Sequence, residues 1–192
     1  MYTARVQFKS LENSPISFSR FHDTPKESGK ESDKAYEART WRERCHYNSE
    51  GYVYIPPTAI KNCLANIAKY LSEKIEGEGN CKWTKNFKAG ILVTDPIELP
   101  IIKDKIEGEW LHVPSDGQTG GTKRVMKCFP KIDKWSGEAI IYVVDEKITK
   151  DVLERYLKQA GLFVGLGRFR PASGGYYGRF DAKIVSWEKT KN

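Results

Sequence analysis

The residues Gly161 to Phe180, GLFVGLGRFRPASGGYYGRF, combine six glycines, three arginines and five aromatics with no acidic side chain. Glycine carries no Cβ, so its backbone can approach another chain or a ligand closely. N–H groups left unpaired in such a loop can face anionic oxygens. Arg168, Arg170 and Arg179 add planar, forked donors suited to phosphate. Phe169, Tyr176, Tyr177 and Phe180 offer flat faces of the kind on which bases stack at ~1–3 kcal/mol each. The stretch is not a dinucleotide fingerprint. Gly165, Gly167 and Gly174 do not fit G-x-G-x-x-G, and the segment lies between a predicted helix and a following strand, the reverse of the required order. It also lacks the G-K-[ST] of a P-loop. The plainer reading, a glycine-rich turn with packed aromatics, stands beside the chemical one.

Other groups invite the same scrutiny. In ARTWRER (Ala38–Arg44), Trp41 between Arg39 and Arg42 either stacks on a base while the arginines hold phosphate, or packs on the core. Lys123 and Arg124 end the glycine-rich loop SDGQTGGTKR (Ser115–Arg124). His46 has Arg42, Arg44 and Tyr47 nearby in sequence and is the candidate general base for activating a 2′-OH. His22 and His112 have no evident partner. Asp95, Asp104, Glu107, Glu109 and Asp116 follow no metal-ligand spacing, and Cys45, Cys63, Cys81 and Cys128 form no C-x-x-C pair. No metal or cofactor is expected. Whether the chain is an enzyme stays open, with a non-catalytic role preferred.

These side chains need a scaffold. The chain has 192 residues, a formal charge of +7, 39% hydrophobic and 30% charged residues. Its length suits one domain spanning residues 1–192, and its positive balance suits an anionic partner. No apolar run is long enough to span a bilayer. MYTARVQFKSL lacks the apolar core of a secretory leader, so a cytoplasmic protein is expected. Ala4, Val6 and Phe8 alternate with Arg5, Gln7 and Lys9, a half-buried strand. Residues 12–44 are polar and read as a mobile arm. GYVYIPP reads as a strand ending at two prolines. A helix follows, capped by Thr58, with Ile60, Leu64, Ile67, Ala68, Leu71 and Ile75 on one stripe and a stop at Gly77 and Gly79. Phe87 to Val93 reads as a strand, and residues 95–123 as an irregular insertion. RVMKCF (Arg124–Phe129) alternates as a strand does. EAIIYVVDE (Glu138–Glu146) reads as a central strand. A helix capped by Thr149 and stopped by Gly161 comes next, and FDAKIVSWE (Phe180–Glu188) closes the chain as a strand. The main order is strand, helix, strand, strand, helix, strand. That predicts an α+β, ferredoxin-like (RRM-like) antiparallel sheet with two helices on one face, flexible insertions, and the other face free to bind.

This layout resembles the RAMP superfamily, the ferredoxin-like RNA-binding proteins of CRISPR effector complexes. Gly165, Gly167, Arg168, Gly174, Gly175 and Gly178 match in kind the family's Gly- and Arg-rich loop before the last strand. Ile55, Pro56, Thr58 and Lys61 match its lead into the first helix, while Pro57 and Asn62 stand where glycine is usual. The resemblance is greatest to the backbone subunits that polymerise along a guide RNA. It implies a binder of single-stranded RNA or DNA that acts as a homo-oligomer or as a subunit of a ribonucleoprotein, without a membrane partner. Lys61, Arg168, Arg170, Tyr176 and Arg179 would line the track. Two alternatives accompany it: a metal-independent endoribonuclease using His46, and a phage-borne protein acting on a host defence complex by mimicry or inhibition.

Overall fold

The structure is a computed structural model that describes residues 1–115 and 123–190. In chain order its elements are β1 (Tyr2–Ser10), β2 (Ile16–Ser17), α1 (Asp33–Thr40), a 3-10 turn (Trp41–Arg44), β3 (Tyr52–Ile55), α2 (Pro57–Leu71), α3 (Thr84–Ala89), β4 (Ile91–Val93), β5 (Ile97–Ile102), β6 (Glu107–Pro114), β7 (Arg124–Ile132), β8 (Ser136–Val143), α4 (Lys150–Phe163) and β9 (Phe180–Lys189). The principal sheet has the order β4-β8-β1-β9, with every neighbouring pair antiparallel. With α2 and α4 as the two crossovers, this is the ferredoxin-like α+β arrangement.

The alternation in β1 does what its period requires. Ala4, Val6 and Phe8 are fully buried beneath α2 and α4, and Arg5, Gln7 and Lys9 face solvent. Ala139, Ile141 and Val143 of β8 and Phe180, Ala182 and Ile184 of β9 complete the buried face. Burying each large aliphatic or aromatic side chain contributes about 1.5–3 kcal/mol. Phe87 and Tyr156 stack at 4.3 Å beneath the helices, and Trp83 meets both edge-on.

Several expectations are corrected. Phe87 lies in the short helix α3, and only Ile91–Val93 of the expected strand pairs with β8. Burying the Phe87 ring under Tyr156 outweighs the local β propensity of its neighbours. Pro56 is the N-cap of α2, and Thr58 makes no cap bond because Pro56 and Pro57 already set the entry. That helix ends at Ser72 in the left-handed region (φ 53°), five residues before Gly77. Thr149 does cap α4, its side chain accepting from Val152 N. Gly161 is inside α4 rather than past its end: a Cβ there would collide with Phe180 O, so its role is to let β9 start against the helix. The expected insertion at 95–123 contains β5, paired to β3, and β6, paired to β7 from Glu107↔Lys131 to Pro114↔Arg124. Most of the predicted loop Ser115–Arg124 lies outside the described residues.

The expected arm 12–44 also holds ordered structure. Its β2 joins β7, and α1 with the following turn packs on the β6–β7 hairpin. The anchor is Glu37, buried to 3% exposure. Its carboxylate accepts from both Arg44 Nη atoms (2.6 and 3.0 Å) and from Cys128 N (2.7 Å), and Arg44 Nη1 also donates to Cys128 O (2.9 Å). One opposite-charge pair of this segment, Glu37 with Arg44, is thus neutralised inside the fold, while Lys26–Asp33 and Arg39–Glu31 stay at the surface. Burial alone would raise the Glu37 carboxyl. The hydrogen bonds from Arg44 and Cys128 N, with Arg44 and Lys127 charge nearby, outweigh it and hold the group below its ordinary 4.5.

A folded-state pKa below the unfolded value stabilises above that unfolded value, and the contribution is lost as pH falls through the folded pKa. Urea denaturation is therefore expected to show stability dropping as pH goes below about 4.5, with Glu37→Gln flattening that part of the profile. At neutral pH the same substitution is expected to cost about 3 kcal/mol, because Arg44 is left buried without its counter-charge.

Candidate functional site

The glycine-rich stretch folds as a compact knot between α4 and β9. Backbone meets backbone at each crossing. Leu166 N donates to Gly178 O (2.9 Å), Tyr177 N to Phe169 O (3.0 Å) and Gly175 N to Arg170 O (3.1 Å). Arg168 N donates to Ser17 O and Gly178 N to Pro15 O, both at 2.8 Å, which ties the knot to β2. A Cβ at Gly178 would collide with Leu166 O, and one at Gly175 with Phe169 O. The N–H groups of residues 165, 166, 168, 174, 175, 177 and 178 thus have internal acceptors. The expectation of a loop presenting free N–H groups to an anion is corrected for these residues: the glycines serve close chain crossings. Phe169 itself adopts φ 56°, a left-handed conformation strained for a bulky residue.

The three arginines of the stretch diverge. Arg168 stacks its guanidinium 3.6 Å over the Phe129 ring of β7, and its Nη1 is buried without a hydrogen-bond partner. Burial lowers its pKa, against the opposing pull of Glu109. Arg170 donates from Nη1 to Gly167 O (2.9 Å) and lines a cleft of about 280 Å³ between the knot and α2. Arg179 donates from Nε to Leu162 O (3.2 Å) in the seam between α2 and α4. Among the described residues none of the three forms an ion pair with a carboxylate. Of the aromatics, Phe169 and Tyr176 are exposed and meet edge-on at 5.8 Å, whereas Tyr177 is buried and donates to Glu109 (2.7 Å).

Across the cleft, α2 presents Thr58, Asn62 and Asn66, and Cys63 closes the floor. The Cys63 thiol donates to Gly165 O (3.4 Å) and is pushed up to about 12 by burial, so it bonds the knot to α2 rather than acting as a nucleophile. No acidic residue lines this cleft. Thr58, Asn62 and Asn66 recur every four residues, a stripe of uncharged polar groups that sequence reasoning passed over in favour of the apolar stripe.

The remaining candidates lie elsewhere. Lys61 donates to Phe87 O (2.8 Å) and Lys88 O (2.7 Å) at the end of α3, and burial lowers its pKa. Trp41 is in the core against Gly108, the packing alternative, with Arg42 4.1 Å over its ring. Arg39 pairs with Glu31 (2.9 Å) and Glu27 (3.4 Å). Lys123 and Arg124 are exposed at the β7 end of the hairpin, and Arg124 is about 17 Å along the strand from Phe129 at the usual rise. The His46 ring sits between Phe18 and Tyr54, and among the described residues no hydrogen bond reaches it. Burial, with help from Arg20, lowers its pKa. No three His, Cys, Asp or Glu side chains among the described residues gather as a ligand set. No helix in the described residues is long and apolar enough to cross a membrane. The open sheet face mixes signs, with Arg5, Lys9 and Lys183 beside Glu138 and Asp181, whereas the clefts beside α2 are lined by no carboxylate.

The glycine crossings separate two effects of adding a methyl group. Gly174 has φ 78° and open space around its missing Cβ, so Gly174→Ala is expected to cost about 1 kcal/mol from backbone strain alone. Gly175→Ala must displace Phe169 and is expected to cost at least ~3 kcal/mol. Denaturant midpoints of the two variants check the order.

No protein-family model matches the chain, and no curated protein does. Among solved structures, it is similar to the crystal structure of Cmr6 from Pyrococcus furiosus, with a TM-score of 0.51 and 15% identity over 95% of this chain and 99% of that one. The likeness is one of fold, and it spans nearly the whole of both chains.

Proposed function

We propose that this protein binds single-stranded nucleic acid, RNA in the first instance, in the cleft between α2 and the glycine knot, as a RAMP-type subunit of a CRISPR-related ribonucleoprotein. The observation that carries this reading is the cleft itself: Arg170 and the Thr58–Asn62–Asn66 stripe face each other with no carboxylate among the lining residues. A guanidinium held at one nitrogen by Gly167 O keeps further donors for a phosphate, and the side-chain amides add neutral donors that do not choose between bases. The net charge of +7 and the RAMP-like fold shared with Cmr6 support the same reading. Arg170 and Arg179 hold the strand. Arg168 serves the scaffold through Phe129, and Lys61 secures α3 to α2.

Fluorescence anisotropy with a labelled unstructured oligonucleotide, titrated at rising salt, tests this. Binding should weaken steeply with salt. Arg170→Ala should reduce low-salt affinity about tenfold and flatten the logarithmic salt slope by ~0.7, the value for one lost contact to a single strand. Arg168→Ala should lower the denaturation midpoint and leave affinity nearly unchanged. Salt-insensitive binding, or full affinity in Arg170→Ala, would overturn the reading.

A further inference from the structure

The acid-free surface does not stop at the first cleft. Asn66 and Val164 are shared with a second cleft of about 590 Å³ further along the α2–α4 seam. Its walls include Lys69, Tyr70, Leu162, Phe163 and Arg179, again without a carboxylate. Tyr70 is 65% exposed and Phe163 45%, and their rings lie 5.7 Å apart with planes inclined by 24°. Neither ring is in the core, so packing does not account for two large aromatics side by side in water. Tyr70 continues the stripe of Thr58, Asn62 and Asn66 at the same four-residue step, so polar groups and ring lie along one flank of a single helix, about 18 Å from end to end.

We propose that Tyr70 and Phe163 form a stacking platform for an unpaired base of a single strand whose phosphates lie along Arg170 and Arg179. The proposal rests on the nucleic-acid reading above and adds to it the substrate's form: a strand whose bases are free to splay. Exposed rings beside a positive, acid-free groove are the combination by which proteins hold single strands regardless of sequence. An apolar protein partner would cover the same rings, but it has no need of an unbroken run without carboxylates leading to Arg170. The commitment is therefore to nucleic acid.

The test compares two labelled strands of equal length and charge, one bearing bases and one abasic throughout, by anisotropy on the full chain. The native protein should favour the base-bearing strand by about tenfold, the lower part of the range for one stacked base. Tyr70→Ala with Phe163→Ala should remove that preference and leave affinity for the abasic strand unchanged, whereas Tyr70→Phe should retain it. Both rings are exposed, and the variant's thermal midpoint should match the parent's. If the native protein binds both strands and the double variant keeps the full preference, the platform is refuted while the nucleic-acid reading survives. If neither strand binds at low salt, the underlying reading fails as well. Loss of self-association in the double variant, with its base preference intact, would assign the rings to a protein contact and overturn the proposal.

Discussion

Close approach of backbone to backbone is the constraint on which the candidate site depends. At Gly161, Gly175 and Gly178 the chain passes a neighbouring carbonyl at a distance that leaves no room for a Cβ. These crossings set β9 against α4, fold the stretch onto itself and bring Arg168 N and Gly178 N to β2. The knot is thereby joined to the principal sheet, to the β2–β7–β6 sheet and, through the Cys63 thiol, to α2. Val164, Gly165 and Leu166 of the cleft wall already have their N–H groups paired internally, which holds this part of the wall rigid.

The electrostatic character of the seam follows from where the acids are used. Glu37 is consumed by Arg44 and Cys128 N, Glu109 accepts from Tyr177, and Glu73 is held by Arg155 and Tyr156. Glu27 and Glu31 occupy Arg39. Glu73 bridges from just past the end of α2 to α4, beyond the two clefts, whose linings hold no carboxylate, and Arg170 and Arg179 keep carbonyl contacts only. An arginine that donates to a carbonyl retains its full charge toward a phosphate, whereas one paired to a carboxylate largely loses it. The ion pairs of the α1 region thus shape the site by taking their own charges out of play.

Arg168 shows how one residue type divides its roles. It is two residues from Arg170, yet the left-handed turn at Phe169 sends the two side chains to different sides of the knot. One guanidinium lies on Phe129 of β7 and the other beside α2. The same turn leaves Phe169 and Tyr176 exposed.

Local patterning was enough for the frame. The alternation of Ala4, Val6 and Phe8, the apolar stripe of α2, the Thr149 cap and the order of the six main elements all follow from side-chain period and capping chemistry, which act within a few residues along the chain. The glycine- and arginine-rich stretch was also conspicuous as a place where chemistry or tight folding must occur. Its meaning was not legible, because whether a glycine frees an amide or admits a crossing carbonyl depends on how the chain folds back in space: Gly175 and Gly178 meet Phe169 O and Leu166 O of the same stretch, and Gly167 meets Ser17 O from far away in the chain. The same holds for residues 12–44: opposite charges dispersed in a polar run look solvated until β7 supplies Cys128 N and O to complete the bonds of Glu37 and Arg44. Folding in space decided which arginines stay free and which rings remain in water, since burial and hydrogen-bond partnership are properties of contacts between remote residues.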